Sequence, residues 1–203
     1  ASPLVTTILN ANWQTGKSLT VFAVDDLWDE DLRDESAPHT CELRFTFSSA
    51  DPLYDATQDA FEVDVTDNDV AGVNVDFASG SGALPEGGVG SYTYDVTLDT
   101  PPDPGKPLPV TPRGPTGILF QAGTDCLVNG QANVTLQFTG ATWNTPQTLT
   151  ITPVDNQIVQ LLHTCTIHSS ISSPDPVYAN LDDAPAFSGT PPTLTVDIQD
   201  YDP

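Results

Sequence analysis

Acidic side chains form a dense run early in the chain, and carboxylates in such number suit a calcium ion. The run holds Asp25, Asp26, Asp29, Glu30, Asp31, Asp34 and Glu35, with Arg33 among them. Calcium takes about six to eight oxygen ligands, largely from carboxylates and carbonyls. A strand that leaves this run and a second strand that returns would bring Asp67 and Asp69 beside it. The alternative is a solvated acidic surface that holds no ion.

The whole chain is strongly acidic, which bears on its partners. Its 203 residues include 5 Lys and Arg against 28 Asp and Glu, for a formal net charge of −23. Such a chain repels a phosphate backbone, so we predict no nucleic-acid partner. No apolar run reaches the length of a membrane span, which predicts no membrane segment. Because there is no methionine and no visible signal peptide, we expect a processed or excised piece of a protein.

A long internal repeat divides the chain. Residues 39–54 and 163–178 share His, Thr, Cys, Ser, Asp, Pro and Tyr at a constant separation of 124 positions. The segment around Trp13 recurs around Trp143, 130 positions later. A period of this size is that of a domain rather than of a short solenoid unit. We therefore predict a first unit, residues 1–69, and a second unit, residues 70–203, which carries a Pro-rich insertion.

Alternating apolar and polar residues predict β-strands in both units. The predicted strands are 19–23, 41–47 and 61–65 in the first unit, and 73–77, 92–98, 118–120 and 134–138 in the second, where the first unit's pattern then returns from Trp143. With 19 prolines and turn residues between these runs, the chain is predicted to be all-β. We expect two immunoglobulin-like antiparallel sandwich units in tandem, the first of them incomplete.

Several motifs together resemble the Calx-beta family of repeats. They are Trp143-Asn-Thr-Pro-Gln-Thr-Leu-Thr-Ile followed by Val-Asp, Val24-Asp-Asp26 with Glu30, the run that ends in Asp-Pro-x-Tyr, and the closing Thr66-Asp-Asn-Asp69. The resemblance implies a sandwich fold, an extracellular or lumenal repeat and, in some members, calcium at the end of the domain. The ligands it implies here are Asp25, Asp26, Glu30, Asp67 and Asp69. In the second unit only Glu86, Asp155, Asp200 and Asp202 remain as scattered candidates, so we expect no filled site there.

The three cysteines are not equivalent in the repeat. Cys41 and Cys165 occupy the same repeat position, whereas Cys126 lies 17 residues before Trp143, and that spacing before Trp13 falls outside the chain. We predict a disulfide between Cys126 and Cys165, with Cys41 unpaired; the alternative is two buried free thiols. Closing this loop would contribute about 4 kcal/mol in the entropic treatment of cross-links.

Asn133, followed by Val134 and Thr135, forms the one N-glycosylation sequon. With alternate residues of its strand facing inward, Asn133 would point outward, as a glycan requires. Sequons also occur by chance, and a glycan further requires a eukaryotic source.

No nucleophile elbow, phosphate-binding loop or Cys/His metal spacing is present, so we predict that the chain is not an enzyme. We expect an extracellular structural module of a surface or filament-forming protein, which spaces, stiffens or assembles. The alternatives are a calcium-binding adhesin or stalk module and, third, a glycan-binding module suggested by aromatic residues near Trp28. The expected partners are neighbouring repeats or subunits of the same protein.

The first unit is shorter than the second at its start. From Val70, 73 residues precede Trp143, whereas 12 precede Trp13, a difference of about 61 residues or roughly three strands. We expect the remaining strands to come either from upstream in the same polypeptide or from a neighbouring subunit by strand addition.

Overall fold

The structure, a computed structural model of the chain, describes residues 4–29, 39–87, 89–102, 114–181 and 193–201. Within these residues it contains eleven strands and one short helix. In chain order they are β1 (His39–Thr46), β2 (Gln58–Val65), β3 (Val73–Ser79), β4 (Leu84–Pro85), β5 (Tyr92–Leu98), β6 (Thr116–Ala122), β7 (Cys126–Val128), β8 (Asn133–Phe138), β9 (Gln147–Pro153), β10 (His163–Ser172), α1 (Pro176–Leu181) and β11 (Leu194–Gln199). The predicted all-β class is confirmed.

Nine of the strands form two sheets in the second unit. One sheet has the order β4-β11-β10-β6-β8 and the other the order β3-β5-β9-β7. All neighbouring strands run antiparallel except β4 and β11, which are parallel. Buried residues of both sheets, such as Ile118 and Ile167 in one and Val96 and Leu149 in the other, belong to one apolar core. The two sheets therefore pack face to face.

The remaining two strands, β1 and β2, form a separate antiparallel hairpin. Its register matches that of β10 and β11: Cys41 pairs with Val63, and Cys165 pairs with Val196. The two cysteines are 124 positions apart and the two valines 133, so the repeat seen in the sequence recurs in the backbone pairing.

A tight turn in the first unit also recurs in the second. The Asn12 N–H donates to the Leu9 carbonyl at 2.9 Å, and the Thr142 N–H donates to the Thr139 carbonyl at 2.9 Å. The Asn12 side-chain oxygen accepts from the Leu9 N–H at 2.7 Å, and the Thr142 hydroxyl accepts from the Thr139 N–H at 3.1 Å. Two different side chains thus stabilise the same turn, 130 positions apart.

The strand predicted at 19–23 is wrong. Residues 17–23 correspond in the repeat to β9, which is hydrogen-bonded between β5 and β7. The described residues 4–29 contain no strand, and Leu19 and Val21, predicted to face inward, are exposed. The physical reason is that an alternating sequence forms a strand only where a neighbour supplies backbone hydrogen bonds.

The helix α1 is a feature that the sequence analysis did not predict. Asp175 caps it, because its carboxylate accepts from the Val177 N–H at 2.9 Å. Pro176 occupies the first helical position, where proline is favoured. Tyr178 and Leu181 are buried and attach the helix to the core. No helix in the described part of the chain has the length and apolar character needed to cross a membrane.

Candidate functional site

Four of the five predicted calcium ligands lie at one end of the first unit. Partial burial raises the pKa of the Asp69 carboxyl, and the negative charges of Asp67, Asp25 and Asp26 raise it further. The Asp69 N–H donates to a carboxylate oxygen of Asp67 at 3.1 Å. The charges of Asp25 and Asp26, at the start of the acidic run, thus act on Asp69, which follows the returning β2 strand.

The fifth predicted ligand, Glu30, lies outside the described residues. Within the described ranges, no three His, Cys, Asp or Glu side chains are arranged to hold a metal ion. What the structure contains at this end is a concentration of negative charge that acts on Asp69. Calcium binding there stays a prediction.

The acidic run also reaches the second unit. Asp29 is buried, and its carboxylate accepts from the backbone N–H of Ala71 at 2.7 Å. The neighbouring Trp28 is half-buried, and its ring lies against Gly140. Since Ala71 and Gly140 belong to the second unit, Trp28 and Asp29 form a joint between the two units, and we call this pair of residues the joint.

Four acidic residues were considered as metal ligands in the second unit. Three of them, Glu86, Asp155 and Asp200, lie at one end of that unit, and the fourth, Asp202, lies outside the described residues. Glu86 and Asp200 are buried. The Asp200 carboxylate accepts from the Gln160 N–H, and the Asp155 carboxylate lies against Gly87. At least the Asp200 carboxylate is therefore engaged in holding the loop that precedes β10.

That loop is apolar where its first-unit counterpart is acidic. Its large hydrophobic residues are all exposed: Ile158, Val159, Leu161 and Leu162. Apolar side chains at this place could pack on a neighbouring domain or subunit, or lie under the Pro-rich insertion. Of that insertion, residues 103–113 lie outside the described residues, and the loop presents its apolar side chains to solvent.

The predicted disulfide is confirmed. Cys126 of β7 is bonded to Cys165 of β10, with the two Cα atoms 6.0 Å apart, and both residues are buried. Because β7 and β10 belong to different sheets, the bond joins the two layers of the second unit. Cys41, the repeat equivalent of Cys165, carries a free thiol and is exposed.

The β1–β2 hairpin presents an apolar face that its counterpart in the second unit buries. Phe47 is 43% exposed, whereas its equivalent Ile171 is 9% exposed. Leu19 is 44% exposed, whereas its equivalent Leu149 is fully buried at 0%. The predicted inward face of β2 is likewise open, since Phe61 is exposed and stacks on Phe45. We call this surface of the hairpin the open face; its residues are Phe47 and Phe61, which are exposed, and Leu43 and Phe45, which are half-buried.

One buried contact of the second unit was missed from the sequence. The Tyr178 hydroxyl donates to the Thr100 carbonyl at 2.6 Å and lies 3.0 Å from the Thr100 hydroxyl. Tyr178 is 1% exposed, whereas Tyr54, its repeat equivalent, is 63% exposed. The recurrence of Asp-Pro-x-Tyr in both units was the signal that could have marked this tyrosine as a structural anchor.

Asn133 begins β8, and its side chain is exposed while Leu136 and Phe138 of the same strand are buried. This is the orientation that the alternation predicted. Glycosylation of Asn133 itself stays a prediction.

No protein-family model matches this chain, and a search of the curated proteins finds no match either.

Proposed function

We propose that the chain is an extracellular structural repeat module, made of two Calx-beta-like units of immunoglobulin type, which spaces and stiffens a surface or filament-forming protein without catalysing a reaction. The observation that carries this proposal is the joint. A buried carboxylate of one unit that accepts a backbone N–H of the next restricts how the two units can turn against each other. A spacer needs such a restriction.

Two further observations support a repeat module. Hairpin register and turn hydrogen bonds recur in both units although most side chains differ. A disulfide across the two sheets suits an oxidising compartment such as the cell exterior.

The test is a measurement of distance across the joint. A spin label on the free thiol of Cys41 and a second label on an Asn133→Cys variant would place one probe in each unit. We expect a narrow distribution of distances between the labels, and a broader one when Asp29→Ala removes the acceptor. Asp29→Asn, which keeps an oxygen acceptor, should broaden it less. A broad distribution in the unsubstituted joint would contradict a stiffening role.

Calcium binding is the second candidate function, because the carboxylates of the first unit act on one another. Burial and the negative charges of Asp67, Asp25 and Asp26 raise the pKa of Asp69, and a divalent cation would neutralise the part that comes from those charges. We expect calcium to raise the melting temperature of the full chain, and Asp67→Asn to reduce that increase. Magnesium at the same ionic strength is the control. An equal shift with both ions, or none with calcium, would contradict a calcium site.

Glycan binding has weaker support. Trp28, the aromatic residue that suggested it, lies half-buried in the joint. Glycan binding therefore stays a prediction without a further observation behind it.

A further inference from the structure

We propose that Asn129 is a modification site, at which the side-chain amide is lost by deamidation, and that the fold of the second unit controls the reaction. The closed turn at Asn129 suppresses deamidation, and local opening of that turn permits it. The reaction needs no partner protein and does not depend on the proposed structural role.

Asn129 and Gly130 form a two-residue turn directly after β7. Val128 and Gln131 close the turn with two backbone hydrogen bonds, of 2.8 Å and 2.9 Å. The φ angles of Asn129 and Gly130 are 49° and 74°, and positive φ at both central residues is the mark of a type I′ turn, which favours Asn-Gly. This is also the one Asn-Gly pair of the sequence. Such a pair is prone to deamidation, because glycine has no side chain to obstruct the approach of its nitrogen.

Deamidation begins when the backbone nitrogen of Gly130 attacks the side-chain carbonyl carbon of Asn129. A nitrogen–carbon bond forms and the attacking nitrogen gives up its proton. The side-chain carbon–nitrogen bond breaks, and the amide nitrogen takes up a proton and leaves as ammonia. Water then opens the five-membered imide at one of its two carbonyls and leaves either Asp or isoaspartate, in which the main chain runs through the side-chain carbons. Both products carry an added negative charge, and no oxidant or reductant takes part.

Two hydrogen bonds to Thr150 of β9 hold Asn129 in the closed turn. The Asn129 N–H donates to the Thr150 carbonyl, and the Asn129 side-chain oxygen accepts from the Thr150 N–H, both at 2.7 Å. We call these two hydrogen bonds the clamp. The clamp continues the pairing of β7 with β9 beyond Val128 and Ile151, with a side-chain oxygen in the place of a backbone carbonyl. The group that would react is therefore engaged as a structural acceptor.

Ring closure also requires a different backbone conformation at Asn129. The side-chain carbon reaches the Gly130 nitrogen only when the Asn129 Cβ eclipses that nitrogen across the Cα–C bond. A type I′ turn, the mirror image of type I, sets ψ of its first central residue at about +30°, where these two atoms are far from eclipsed. The turn must therefore lose the clamp and change ψ before the reaction can begin.

The strand β7 is the element whose release would open the turn. It has three residues and ends the sheet order β3-β5-β9-β7. Val128, which is completely buried, and Cys126, which is bonded to Cys165, attach it to the core. Local opening costs less free energy than global unfolding where few buried contacts hold a segment, so we expect β7 to open more often than the whole unit unfolds.

An opening of β7 would leave a covalent trace. Asn129 and Gly130 are exposed, so water reaches the turn as soon as it opens. Asp at position 129 keeps an oxygen acceptor and can restore the clamp. Isoaspartate lengthens the main chain of the turn by one atom and has no equivalent side-chain oxygen, so the clamp is lost. We therefore expect the Thr150 amide to exchange its hydrogen faster once isoaspartate has formed.

The experiment incubates the full chain at mildly alkaline pH beside a synthetic peptide of residues 127–134. Mass spectrometry of the proteolytic peptide that holds residue 129 measures the replacement of the amide by a carboxyl group. Asn133, which is followed by the branched Val134, lies in the same peptide and serves as an internal control. We expect Asn129 to deamidate at least about ten times more slowly in the folded chain than in the synthetic peptide, since the reaction in the chain waits for an opening.

A pair of matched variants tests whether the opening is local. Val128→Ala weakens the attachment of β7, whereas Val96→Ala removes an equally buried valine from β5 in the same sheet. Both variants leave the Asn-Gly pair intact, and their amide spectra check that they fold. We expect Val128→Ala to speed the deamidation of Asn129 at least about threefold more than Val96→Ala does, because it lowers the cost of the local opening.

Hydrogen exchange at Thr150 gives a measurement that does not depend on these variants. Asn129→Asp keeps the acceptor and should keep this amide slow, whereas the isolated isoaspartate form should lose its protection. Slow exchange in the isoaspartate form would contradict the loss of the clamp.

Two kinetic outcomes would overturn the proposal. Equal rates in the folded chain and the synthetic peptide would show that the closed turn gives no protection. Equal acceleration by the two alanine variants would show that the reaction reports unfolding of the whole unit and not the opening of β7. A synthetic peptide that keeps the Asn129 amide as long as the Asn133 amide would refute the modification site itself.

Discussion

The hydroxyl of Tyr178 offers a sharp test of how the second unit is held together. Tyr178 and Thr100 are both buried, and the hydroxyl accepts from the Thr100 N–H at 3.3 Å while it donates to the Thr100 carbonyl. Burial raises the pKa of Tyr178 well above its ordinary value, so the phenol keeps its proton and remains a donor. The perturbation is Tyr178→Phe, which removes the hydroxyl and keeps the ring.

The expected loss of stability follows from the backbone groups that Tyr178→Phe leaves without a hydrogen-bond partner. Without the hydroxyl, the backbone N–H and carbonyl of Thr100 lose their partner where water has little access. A buried polar group left unsatisfied costs about 1–3 kcal/mol. The donated bond is short and the accepted one is long, so we expect the free energy of unfolding to fall by about 2 kcal/mol, close to one such group.

Urea unfolding of the full chain, followed through amide signals of the second unit's core, measures this change. The matched control is Tyr54→Phe at the equivalent position of the first unit, where the side chain is exposed. We expect that control to change the free energy by less than about 0.5 kcal/mol, as surface substitutions do. Equal effects at the two tyrosines, or a loss below about 0.5 kcal/mol at Tyr178, would refute the reasoning.

Three further tests concern other parts of the structure. Replacing Cys126 and Cys165 together by alanine should lower the free energy of unfolding by about 4 kcal/mol in urea, and a loss under about 1 kcal/mol would contradict the expected constraint on the unfolded chain. Leu149→Ala should cost about 2–5 kcal/mol through the cavity it leaves, whereas Leu19→Ala at the equivalent exposed site should cost less than about 1 kcal/mol; similar melting temperatures would show that Leu19 is packed after all. Folding raises the pKa of Asp69, so the free energy of unfolding should fall as the pH rises from about 4, the ordinary pKa of Asp, through the folded value. Asn does not titrate, so the stability advantage of Asp69→Asn should grow over that pH window and then level off. A constant difference at every pH would contradict the sign.

The sequence alone predicted strands correctly where the structure also contains the strands that pair with the alternating segment. The inward pattern of Val96 and Leu98 in β5, and of Leu136 and Phe138 in β8, is what the structure buries. The same kind of pattern failed at Leu19, because periodicity records which face would be buried and not whether a partner strand is there. The alternation within one segment carries no information on whether a pairing strand is present.

The candidate site was predictable in part for a similar reason. The chain direction of β1 and β2 was enough to bring Asp67 and Asp69 towards the acidic run. The bond from Asp29 to Ala71 was not foreseeable, since the two residues are far apart in sequence and neither belongs to a recurring motif. The helix α1 was also missed, although an Asp directly before a Pro is a recognised local signal for the start of a helix.

In the proposed two-unit arrangement, the joint would couple the folding of one unit to that of the next. Ala71 lies in the core cluster of the second unit, so its N–H reaches Asp29 in this geometry only while that core is formed. Loss of the core therefore removes the buried hydrogen bond that Asp29 accepts, and a fixed position of Asp29 favours the native start of the second unit. In a longer array, such nearest-neighbour terms make stability rise with the number of units and make unfolding spread from one unit to the next. A filament built this way would resist local melting at its interior and fray from its ends.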